Sequence, residues 1–188
     1  MELIKYTLHE DYQNEFQIAL VDEPAIESDW QKFEKYQQFK IQDEDKRIVS
    51  GYAMIADKKI PRYDERTKQG FLVVFDKQSI WDIALKFFKN KLTYNTNEMH
   101  QTNQFAKGVW VFESMILDQS RGIKAPEGFK QEADDSWFIS MKVDNDEIWT
   151  KVKNGDYKGF SIECRFKEEP VKMNIDDLME ELKLTYQK

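Results

Sequence analysis

Polar and apolar residues alternate along Glu2–Leu8, the pattern of a half-buried strand. Residues 16–21 form a second apolar run that stops at the turn-forming Asp22, Glu23 and Pro24. Between residues 30 and 39, Trp30, Phe33, Tyr36 and Phe39 recur at helical spacing. Residues 43–46 read as a polar turn, 48–56 as a strand, and 58–68, with Pro61, as a loop. Residues 70–75 give a compact strand. Asp76 then caps a helix to about Asn90, with Ile80, Trp81, Ala84, Leu85 and Phe88 predicted on one face.

Residues 92–107 are polar and contain His100. Residues 109–117 are strongly β-prone, 118–135 form a long loop, and 137–143 another strand. A capped helix is predicted over 144–154, with Ile148, Trp149 and Val152 inward and Gly155 after its end. Residues 158–166 read as the last strand. Beyond Pro170, Asn174 caps a short helix in which Ile175, Leu178, Met179, Leu182 and Leu184 oppose Asp177, Glu180 and Glu181.

About seven strands interrupted by two or three helices, without regular alternation, argue against a doubly wound parallel sheet. The expectation is an α+β protein: a mixed or antiparallel β-barrel of about seven strands with flanking helices. Residues 1–169 would form the barrel domain and 170–188 a short acidic amphipathic tail helix. An acidic polar face repels anionic lipid, so the tail is expected to pack or dock on a partner.

Composition narrows the function. Of 188 residues, 40% are hydrophobic and 14% aromatic, enough to build a core. A net charge of -7 with no basic run argues against non-specific nucleic-acid binding. Lys86, Lys89 and Lys91, the densest basic group, read as the solvated face of a helix. No apolar stretch reaches the length of a membrane span, and the first eight residues lack an apolar secretory core. Cys164 stands alone, which fits a reducing compartment and leaves no intrachain disulfide. A cytoplasmic protein is expected.

Two histidines and one cysteine cannot close a Cys/His zinc site. Glycine-rich phosphate loops and the Gly-x-Ser-x-Gly elbow are also absent, and no cofactor is expected. His100 precedes a strand that carries Ser114 fourteen residues later. A serine hydroxyl becomes a competent nucleophile when an imidazole takes its proton. Spacing alone does not separate this pair from a structural serine and a solvated histidine.

The chain resembles the phage prohead serine proteases, which are related in fold to the herpesvirus maturation protease assemblin. The resemblance spans roughly residues 16–167. It is carried by Ala19-Leu20-Val21-Asp22-Glu23-Pro24-Ala25, by Gly51-Tyr52-Ala53-Met54-Ile55-Ala56-Asp57 with Ile60-Pro61-Arg62, and by Asn97-Glu98-Met99-His100. Phe112-Glu113-Ser114, residues 137–149, and Gly155-Asp156-Tyr157-Lys158-Gly159-Phe160-Ser161-Ile162 complete it. Cys164 departs from the small residue expected after the Ser-Ile pair.

The resemblance implies a serine endopeptidase in which Ser114 is the nucleophile and His100 the general base. Assemblin-like enzymes orient the base with a second histidine. His9 lies outside the resembling region, so an acidic residue must substitute: Glu163, or alternatively Asp118. Ser161 reads as a small residue packed where strands meet, Arg165 as a surface arginine. Trp110, Trp137, Trp149, Phe71, Phe75, Phe87 and Phe88 read as core. The implied substrates are capsid scaffold and major coat precursors, cleaved inside a procapsid assembling in the host cytoplasm, together with the enzyme's own termini. The other readings are a non-catalytic virion structural or assembly module on the same barrel, and an assembly chaperone that binds scaffold through the tail.

Overall fold

A computed structural model describes residues 2–8, 16–22, 39–64, 66–101 and 104–171. Eleven strands and two α-helices lie among them. Strands β1 (Glu2–Leu8), β5 (Ile60–Asp64), β6 (Gln69–Val74) and β11 (Phe166–Val171) form a sheet in the order β11-β1-β6-β5. Strands β2 (Gln17–Val21), β7 (Thr96–Glu98) and β10 (Gly159–Glu163) form a second, ordered β10-β2-β7. Strands β3 (Phe39–Asp43), β4 (Ile48–Met54), β8 (Val109–Ile116) and β9 (Trp137–Val143) form a third, ordered β3-β4-β9-β8. The pairs β1/β6 and β2/β7 are parallel and the others antiparallel.

The α+β class therefore holds, but the strand count of seven does not, and no closed barrel appears among the described residues. Two misread segments account for part of the difference. Residues 58–68 look like a loop because of Pro61, yet β5 runs through them. It is an edge strand, where a missing N–H costs no ladder bond. The run read as one last strand is two. β10 pairs with β2, the chain breaks at Cys164 and Arg165, and β11 pairs with β1 in a different sheet. β11 continues through Pro170, opposite Ile4. The helix predicted over 30–39 and the tail helix lie outside the described residues, as does His9.

Helix α1 (Lys77–Lys89) begins at Asp76, whose carboxylate accepts from the Ser79 amide at 2.8 Å and from Lys5 at 2.6 Å. Its buried face is Ile80, Ile83, Ala84 and Phe87; Leu85 and Phe88, predicted inward, are exposed. The helical period admits both stripes, and the true one lies about 100° round the axis. Phe87 is wholly buried between Phe16 (ring centroids 5.2 Å) and Trp137 (5.5 Å). Burying such a ring contributes about 1.5–3 kcal/mol. Helix α2 (Asp146–Asn154) is capped by Asn145, buries Ile148, Trp149 and Val152, and ends at Gly155 in the left-handed conformation that glycine adopts without strain.

The sheet β10-β2-β7 has two unlike faces. Ile18, Leu20 and Phe160 enter the main core. On the other face cross-strand register aligns Ser161, Ala19 and Asn97, with Gln17 and Glu163 one step along. That second face is polar and still nearly closed: Gln17, Asn97 and Ser161 are 4%, 0% and 5% exposed.

Candidate active site

A carboxylate that orients an imidazole must present an oxygen to one ring nitrogen and must itself be held. Glu163 does both. Its Oε2 lies 3.5 Å from His100 Nδ1 and accepts from Asn97 Nδ2 at 2.9 Å. The same Asn97 amide donates to Gln17 Oε1 at 2.5 Å. Asn97 is fully buried, and among the described residues its own carbonyl oxygen has no hydrogen-bond partner. A buried orphan acceptor costs about 1–3 kcal/mol, which marks this polar cluster as something other than economical packing.

His100 reaches back to Glu163 because the chain doubles on itself after β7. Met99 and His100 are consecutive left-handed residues, with φ of 51° and 59°. Side chains with a Cβ occupy that region at a cost of about 1–2 kcal/mol each. The turn is fixed by the Met99 amide on Leu20 O at 3.0 Å and the Gln101 amide on Glu98 O at 3.0 Å. Glu98 is itself anchored, accepting from Lys151 at 2.7 Å and from the Tyr157 hydroxyl. Burial pulls the Glu98 carboxyl upward, but these donors hold it below its ordinary range, while burial and Glu98 push the Tyr157 phenol up to about 12. The imidazole, half exposed, thus stands on a rigid and strained support.

Ser114 lies elsewhere. A register shift between Val111 and Glu113 sets it opposite Ile139, on the core side of β8, which is an edge strand. Its Oγ accepts from the indole Nε1 of fully buried Trp137 at 2.8 Å, and the residue is exposed. No hydrogen bond joins it to His100. Both neighbourhoods border Phe87, through Phe16 on one side and Trp137 on the other.

Ser161 shares its face with Glu163, two residues away on β10, and its hydroxyl makes no hydrogen bond among the described residues. Asp118 is committed to a turn: it accepts from Ser120 at 2.6 Å and from Arg121 Nε at 2.6 Å, which with the Arg121 amide hold its carboxyl down to about 2. Cys164, beside Glu163, is no rival nucleophile. Burial pushes its thiol up to about 12, so the reactive thiolate is scarce at neutral pH.

The sequence reading placed Glu163 beside His100 in role and missed Asn97 and Gln17. A signal was present for Gln17, the one polar residue of an otherwise apolar or small strand, but not for Asn97, whose strand β7 is polar throughout. Trp137, Trp149, Phe75 and Phe87 are core as expected, whereas Phe88 is exposed and Trp110 and Phe71 are only half-buried. Among the described residues no helix is long and apolar enough to cross a membrane, and no group of three His, Cys, Asp or Glu could hold a metal ion.

Compared with known proteins, the chain matches a family model described as "Putative phage serine protease XkdF" over residues 35–168. Neither a curated protein nor a solved structure matches it.

Proposed function

We propose, for a chain that belongs to the family described as "Putative phage serine protease XkdF", that it is a serine endopeptidase cleaving scaffold and coat precursors, and its own termini, during procapsid maturation. The observation that carries this reading is the His100–Glu163 contact, braced by Asn97. Glu163 at Nδ1 favours the tautomer with its proton on that nitrogen and leaves Nε2 as the base. His100 takes the proton of a serine hydroxyl as its oxygen attacks the scissile carbonyl. It then gives that proton to the leaving amine, and water releases the acyl-enzyme by the same route.

Two serines compete for the nucleophile. Ser114 is the one the family resemblance implies; it is accessible, and its oxygen is already engaged by Trp137. Ser161 is favoured by its place on the same sheet face as Glu163 and by a hydroxyl that makes no hydrogen bond among the described residues. We assign Ser161 the first place and Ser114 the second. The test is to incubate purified protein with the co-encoded scaffold and coat proteins and map new termini by mass spectrometry. Wild type and the His100→Ala, Ser161→Ala and Ser114→Ala variants run in parallel. Cleavage that survives His100→Ala sinks the mechanism. Absence of any cleavage by wild type in assembling particles returns the chain to a structural or assembly role.

A further inference from the structure

A concave pocket opens between β10, β4 and the sheet containing β1, β5 and β6. Its walls include Tyr6, Ile60, Phe75 and Phe166, and it is bordered by Ser161. One charged residue lines it, Arg62 on the edge strand β5. Among the described residues the Arg62 guanidinium makes no hydrogen bond or ion pair. Burial pulls its pKa down, and the opposing pull from Tyr6 is the smaller effect, as for a cation only partly compensated for its removal from water. Glu168 accepts from the hydroxyl of the wall residue Tyr6 at 3.4 Å.

An arginine in this setting is a fork of donors waiting for an acceptor of matching shape, and a carboxylate accepts such a fork bidentately. Aromatic and aliphatic walls exclude water from the pair and strengthen it. We propose that this pocket receives the side chain of an acidic residue, glutamate or aspartate, of the substrate polypeptide, next to the bond that is cut. The position of the cut rests on the protease reading with Ser161 at the pocket's border; the affinity of the pocket for a carboxylate does not. Selection would arise because a neutral isostere leaves the half-buried cation unpaired.

Two measurements separate the claims. N-acetyl-glutamate N-methylamide is titrated into the full chain while NMR follows the Arg62 Nε–H and the Ile60 methyls, with N-acetyl-glutamine N-methylamide as the control. The glutamate probe should shift these signals, the glutamine probe should not, and Arg62→Gln should remove the difference. Equal responses to both probes, or none, overturn the pocket assignment. A proteome-derived peptide library is then digested and the new termini sequenced. Acidic residues should be enriched at one fixed position beside the cut. That enrichment should fall about tenfold in Arg62→Gln, the loss of one charge-assisted pair, and revert towards basic residues in Arg62→Glu. Cleavage without acidic preference overturns the specificity while leaving the protease. Selective glutamate binding with no cleavage supports the pocket and removes the protease reading.

Discussion

Asn97 and His100 share one oxygen of Glu163, the first as a hydrogen-bond donor at 2.9 Å and the second through Nδ1 at 3.5 Å. The buried amide fixes where the carboxylate points, and the carboxylate fixes the ring. Asn97→Ala should therefore lower processing about ten- to a hundredfold by loosening the base, without touching it. The readout that isolates this role is the nitrogen NMR signature of the His100 tautomer. Wild type should hold the proton on Nδ1, and the variant should show a mixture. An unchanged tautomer in a folded variant contradicts the positioning role.

Glu163→Ala should be less damaging than His100→Ala. Losing the base removes proton transfer, worth about 10²–10⁴ in rate; losing the orienting carboxylate leaves an imidazole that still visits the productive tautomer. Processing rates of the two variants, measured on the same scaffold substrate, give the comparison. A Glu163→Ala defect as large as that of His100→Ala would mean the carboxylate takes part in the chemistry itself.

Ser114→Ala carries a structural cost of its own. It strips the acceptor from the Trp137 indole, which is fully buried. An unsatisfied buried donor costs about 1–3 kcal/mol, so the variant should melt at a lower temperature whether or not the hydroxyl is a nucleophile. Trp137→Phe, which removes the donor with its demand, should leave Ser114 free. Thermal melts of the two variants check this, and processing must be normalised to the folded fraction.

Glu98 supplies a pH dependence of known sign. Its folded-state pKa is held below the ordinary 4.5 by Lys151 and Tyr157, against the upward pull of burial. The unfolded chain therefore binds the proton more tightly. The stabilisation is fully present above about pH 4.5 and is lost as pH falls through the depressed folded value. Glu98→Gln should cost about 1–2 kcal/mol at neutral pH and flatten the acid limb of stability. Denaturant melts at several pH values from neutral downwards test it; an acid limb as steep in the variant as in wild type would assign the dependence to other groups.

Much of this was legible in the chain. Period-two alternation located β1, apolar and β-prone runs located β4, β8 and β9, and Asp76 and Gly155 marked helix ends. Local signals fail where tertiary context decides. Pro61 looked like a loop residue because nothing local says that β5 lies at an edge. The α1 stripe was misjudged because Leu85 and Phe88 are as apolar as the residues that are buried. In the site, Glu163 was named as the acidic residue that substitutes for a second histidine. Asn97 was missed, because its role comes from two other strands that meet β7 only in the fold.

The most direct test of the central claim is a processing assay in assembling procapsids with Ser161→Ala, Ser114→Ala, His100→Ala and the double variant Ser161→Ala with His100→Ala. Residues that act as one catalytic unit are not additive. The account predicts that Ser161→Ala abolishes cleavage of coat and scaffold in a folded protein, that the double variant is no worse than either of its single variants, and that Ser114→Ala retains cleavage in proportion to its folded fraction. Normal processing by folded Ser161→Ala, together with none by folded Ser114→Ala, would contradict it and give the nucleophile to Ser114.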